Sequence, residues 1–162
     1  VKRGLLAVFI FASLGASRNC TNENHPQLIG FDRSKQISLV WDLRLAREAA
    51  HTTFCASSLG VTKDGLIKAL DTTPIVNGEK ARACQTEGLV AFVPIGMKAI
   101  VLCPLYWSKP SRYERATYLV HEAAHIAGMK HAPSAESSAK VSVNVLLICV
   151  APLIYERERL KE

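Results

Sequence analysis

Eleven consecutive positions, 121–131, read His121, Glu122, Ala123, Ala124, His125, Ile126, Ala127, Gly128, Met129, Lys130, His131. The spacing H-E-x-x-H-x-x-G-x-x-H offers three imidazoles to one metal ion and a carboxylate placed to work on a metal-bound water. A shuffled chain of this composition would contain the full pattern on the order of once in 10⁵. Residues four apart on a helix share one face, with Cβ atoms about 6 Å apart. His121 and His125 can therefore aim at one ion at the usual ~2.0–2.1 Å. Glu122, turned about 100° from His121, can reach a coordinated water without being a ligand. Gly128 permits the left-handed conformation that ends a helix, and His131, three positions on, can close the ligand set. Three protein ligands with an open water position describe a catalytic rather than a structural zinc site. Imidazole ligands favour Zn2+, although nickel and cobalt also fit.

The elements that must position these groups can be read coarsely. A helix is expected from about 111 to 127, capped by Ser108 or Ser111. From Ala116 onward it is apolar on nearly every side, through Leu119, Val120, Ala123, Ala124, Ile126 and Ala127, so it belongs in the middle of a domain. Three ionisable groups on such a helix are costly unless something compensates them, as a bound cation would. Residues 18–34 read as an extended polar leader. Helical spacing runs over about 37–57, with a short second helix over 63–70. A short strand is expected over 80–84, and two strands over 88–94 and 98–103, joined by a turn at Ile95 and Gly96. Val141, Val145, Ile148 and Cys149 lie at helical spacing in a closing helix that Ser134 can cap, with a strand over 141–145 as the alternative. The expected class is α+β.

Composition sets the environment. The 162 residues are 49% hydrophobic and 21% charged, enough for one globular domain with a real core. Lys2 and Arg3 precede an apolar stretch and then small residues at Gly15, Ala16 and Ser17, the pattern of a secretory signal peptide over 1–17. One domain is then expected over 18–162, in a secreted or periplasmic protein. Without Lys2 and Arg3 the net charge falls from +6 to +4. The charges form no nucleic-acid stripe, and Lys109, Arg112 and Arg115 read as a solvated face. No stable membrane span is expected in the mature chain, since Ser142, Asn144 and Pro152 interrupt its last apolar stretch. In an oxidising compartment disulfides are expected among Cys20, Cys55, Cys84, Cys103 and Cys149; five is odd, so at least one thiol is free or pairs elsewhere. Cys84 with Cys103 is the first expectation; Cys149 with Cys55 or Cys20 is the second.

The motif resembles the metzincin signature of zinc-dependent endopeptidases and matches each of its fixed positions. That family carries a downstream Met-turn. Here the methionines are Met97 and Met129, neither of them after the motif, so the resemblance narrows to a zincin-like domain. Over roughly 88–149 the chain is similar to small exported bacterial metallopeptidase domains of the zincin type. The shared parts are Cys103 followed by Pro104, Tyr106 followed by Trp107, the stretch 121–128, Pro133 followed by Ser134, and Cys149. The resemblance implies a small antiparallel sheet or hairpin packed with a central active-site helix and flanking helices. It implies a peptide or protein substrate, with Glu122 as general base and His121, His125 and His131 as zinc ligands. Two alternatives stay open: an inactive metal-binding or interaction module of the same fold, and a helix without metal whose histidines hydrogen-bond in the core.

Overall fold

The structure, a computed structural model, describes residues 25–130 and 135–160. The expected signal peptide, Cys20, His131 and the Ser134 cap lie outside the described residues.

Strand β1 (Leu28–Ile29) leads into α1 (Arg33–His51), whose N-cap Asp32 accepts a hydrogen bond from the backbone N–H of Lys35. Leu39, Leu43, Ala46 and Ala50 recur every three or four residues and form its buried stripe. The expected helix therefore starts earlier and stops at His51; one further turn, α2 (Cys55–Ser58), follows. Next come α3 (Lys63–Thr72), capped by Thr62, and β2 (Ile75–Asn77). The strand expected over 80–84 is not formed. Arg82–Gln85 is a 3-10 turn instead, and the strand lies upstream, where Ile75 and Val76 supply the apolar side chains that Lys80 and Arg82 lack.

Two strands follow as expected, though shorter: β3 (Ala91–Phe92) and β4 (Ile100–Leu102). In the turn between them the Met97 N–H donates to the Pro94 carbonyl at 3.0 Å, and Gly96 takes φ +76°. A positive φ at the third turn position is what glycine supplies there. The sheet order is β1-β2-β4-β3. It is mixed, which corrects the expected antiparallel sheet: only β3 and β4 pair antiparallel, while β1–β2 and β2–β4 are parallel. The reason is connectivity. The helices α1 to α3 form the crossover from β1 to β2, so the chain re-enters the sheet in the same direction.

After α4 (Pro104–Trp107), helix α5 (Arg112–Ile126) runs through the centre of the fold. Ser111 and Glu114 form a reciprocal capping box at its start. Helix α5 packs against α1, α3, β3 and β4, and against the closing helix. That closing helix is continuous: α6 (Ala135–Asn144), a π-helical stretch (Val145–Val150) and α7 (Ala151–Arg159). The strand alternative over 141–145 is not formed. Glu136–Arg159 is long and apolar enough, by length and composition, to cross a membrane. Its Val145, Cys149 and Val150 are buried in the same core as α1 and α5.

The first expected disulfide forms, and Cys149 pairs with Cys55, one of the two partners expected for it. Cys55–Cys149 ties α2 to the π-helical stretch, and Cys84–Cys103 ties the 3-10 turn to the end of β4. This pairing suits an oxidising, extracellular type of environment. Gly78 packs against the second bridge: a Cβ there would lie 2.6 Å from Cys84 Sγ and 2.9 Å from the Leu102 carbonyl.

Of the expected solvated trio, Arg115 needs correction, while Arg112 is exposed. Arg115 is largely buried and grips the fully buried Asp42 of α1 in a two-bond fork, Nε at 2.7 Å and Nη2 at 3.1 Å. The Tyr106 hydroxyl donates to the same carboxylate at 3.0 Å, and Arg115 also donates to the Lys109 carbonyl. Burial, with the Asp42 charge beside it, pushes the Tyr106 phenol well above its ordinary pKa. The network clamps α1 to the start of α5 and to α4.

Candidate metal centre

His121, Glu122 and His125 lie on the last two turns of α5. His121 is 2% exposed and Glu122 7%, while His125 is half-buried. The Nε2 atoms of His121 and His125 are 3.2 Å apart, with ring centroids at 5.0 Å. Two nitrogen ligands of a tetrahedral ion at ~2.0–2.1 Å stand roughly 3.3 Å from each other, so the pair fits a shared ion.

The other nitrogen of each ring is also held. His121 Nδ1 lies 2.9 Å from Ser142 Oγ on α6. His125 Nδ1 lies 3.3 Å from the Met129 carbonyl. A carbonyl can only accept, so His125 carries its proton on Nδ1 and keeps the Nε2 lone pair for a metal. A serine hydroxyl can accept from His121 Nδ1 in the same way. Anchoring the outer nitrogen is how metal-binding imidazoles are kept in one tautomer and orientation.

The Met129 carbonyl reaches His125 because of how α5 ends. Gly128 takes φ +107°, its N–H donates to the His125 carbonyl, and the Met129 N–H donates to the Ala124 carbonyl at 2.8 Å. This is a Schellman cap, which folds the chain back over the last turn and buries Met129 against the core. The expected helix-ending role of Gly128 is thus realised. His131 lies two residues beyond Met129, outside the described residues. Among the described residues, no group of three His, Cys, Asp or Glu side chains gathers to hold a metal.

Glu122 occupies a different environment from the imidazoles. Burial pushes its carboxyl up to about 7, and a hydrogen bond from the backbone of Val93, the residue after β3, opposes that shift. A carboxyl near neutrality can both take and release a proton, the property that general acid–base work requires. The contact also ties the edge strand of the sheet to the motif helix.

The other described histidines lie away from this pair. His25 lies beside Arg47, and His51 ends α1 at the surface. Tyr155 is 73% exposed on α7 and does not approach the pair. The residue that sequence reasoning missed is Ser142. Its only signal was a polar interruption in the apolar closing segment. Comparison with known proteins finds no matching family model, no matching curated protein and no matching solved structure.

Proposed function

We propose that the chain is a zincin-like, zinc-dependent peptide-bond hydrolase of a secreted or periplasmic compartment, acting on a peptide or protein substrate. The observation that carries this reading is the 3.2 Å approach of the two Nε2 atoms, with both Nδ1 atoms already anchored. His121 and His125 would hold the ion, with His131 as third ligand. When bound, zinc supplies Lewis acidity and lowers the pKa of a coordinated water. Glu122 takes the proton of the attacking water and passes it to the leaving amine. The edge strand β3 offers backbone donors and acceptors to an extended peptide, which would add to the sheet as a further strand. The zincin-like character of the fold belongs to this same reading.

A second reading is a metal-binding module without turnover. One observation favours it: the Glu122 carboxylate is 7% exposed and already accepts a hydrogen bond from Val93. Zinc stoichiometry, combined with cleavage of a mixed peptide library by wild type and Glu122→Gln, separates the readings. Hydrolysis is supported by one zinc per chain and by cleavage that Glu122→Gln abolishes. Zinc without cleavage in either protein supports the second reading. Absence of stoichiometric zinc removes both.

A further inference from the structure

A cleft of about 400 Å³ lies away from the histidine pair, lined by Trp41, Arg44 and Leu45 of α1, Arg112 and Tyr113 of α5, and Arg157 of α7. Three guanidinium groups face it and no carboxylate lines it. Arg44 and Arg157 share one carboxylate, that of Glu48, one on each oxygen. The Arg112 side chain makes no hydrogen bond or ion pair among the described residues. Its contact is the ring of Trp41, at 5.6 Å from the centroid, and Arg44 approaches the same ring at 5.7 Å. Arg157 lies 6.0 Å from the Tyr113 ring and donates to its hydroxyl at 3.4 Å.

The Trp41 ring orients Arg44 and Arg112 without occupying their N–H donors, whereas Arg157 spends one N–H on the Tyr113 hydroxyl; at exposed positions each ring contact contributes only about 0.5–1 kcal/mol. Three cations against one carboxylate repel one another, and an anion entering the cleft relieves that repulsion. Arginine's planar fork matches the oxygens of phosphate and sulfate, and its donors stay charged at any physiological pH. Arg112 is also the first residue of α5, where the helix dipole adds positive potential.

We propose that this cleft binds a phosphate- or sulfate-type oxyanion, held by Arg112, Arg44 and Arg157 with Trp41 and Tyr113 as platforms. Arg112 precedes His121 by nine residues on one helix, which sets them about 14 Å apart along its axis. The two sites therefore use separate donors, and this one does not depend on the proposed hydrolysis.

The probe is inorganic pyrophosphate, titrated calorimetrically into the full chain in about 0.15 M salt, where diffuse surface attraction is screened. Saturable binding is expected. Arg112→Gln should weaken it about tenfold or more, the scale of one lost charge-assisted hydrogen bond. Lys68→Gln, which removes an exposed charge elsewhere, should leave it unchanged. Arg44→Gln provides a second cleft variant, and thermal melts of all variants report folding. Trp41 emission in a Trp107→Phe background should change in parallel; the chain has two tryptophans, so Trp41 is then the sole indole. Sedimentation with phosphatidylglycerol vesicles identifies the source. Vesicle binding lost in Arg112→Gln, but absent with phosphatidylcholine, assigns the oxyanion to a lipid headgroup. Pyrophosphate binding alone assigns it to a soluble ligand. Both results support the site. No saturable binding, or equal weakening in Lys68→Gln, overturns it.

Discussion

Ser142 Oγ stands 2.9 Å from His121 Nδ1, joining the closing helix to the motif helix across 21 residues of sequence. That contact fixes the ring whose Nε2 meets His125. Ser142→Ala should weaken zinc or cobalt binding by about 10- to 100-fold, the usual effect of losing such an orienting partner. Ser142→Thr, which keeps the hydroxyl, should restore most of it. Competition with a chelator of known affinity measures both, and equal affinity of wild type and Ser142→Ala would show the contact to be incidental.

Glu122 gives the metal-free protein a pH-dependent stability. Its folded-state pKa of about 7 lies above the ordinary 4.5, so the native state holds the proton more tightly than the unfolded chain does. The stabilisation is fully present below about pH 4.5 and is lost as pH rises through about 7. The total is about 3 kcal/mol, taking 1.36 kcal/mol per pKa unit. Urea melts of chelator-treated protein between pH 4.5 and 8 should show that decline, and Glu122→Gln should flatten it. A parallel decline in both proteins would assign the titration to another group.

Asp42 and Arg115 form a buried pair whose members are costly alone. Asp42→Ala leaves the guanidinium and the Tyr106 hydroxyl without their shared acceptor. It should cost about 3–5 kcal/mol, the range for breaking a buried pair from one side. Replacing both Asp42 and Arg115 with apolar residues should cost less than Asp42→Ala does, which denaturant melts of the two variants can compare. A double variant as unstable as the sum of the singles would contradict the coupling.

The Cys55–Cys149 bridge closes a long loop, 94 residues apart in sequence, and anchors the π-helical stretch that follows Ser142. On chain entropy alone, a loop of that length corresponds to about 4–5 kcal/mol. The double variant Cys55→Ser and Cys149→Ser should melt well below wild type and should also bind zinc more weakly, because the placement of Ser142 loosens. Calorimetry and chelator competition on the same samples read both effects; unchanged zinc affinity would separate the bridge from the site.

Local signals carried much of this far. The capping box at Ser111 and Glu114, the left-handed Gly128 and the apolar run around His121 are all short-range features, set by backbone geometry within a few residues. The sequence alone therefore placed the motif helix, its end, and the shared face of His121 and His125. It also favoured the pairing of Cys84 with Cys103, because the two bracket the expected hairpin. Partners distant in sequence could not be read this way. Arg115 looked like one of three solvated charges because Asp42, its counter-ion, sits 73 residues earlier. Ser142 looked like a polar flaw in an apolar helix because the ring it serves belongs to another element. The parallel pairing of β2 likewise depends on a helical crossover rather than on the strand's own residues. Periodicity tells which face of an element is buried; only the packed structure decides what that face meets, because such contacts depend on how the elements are arranged in space.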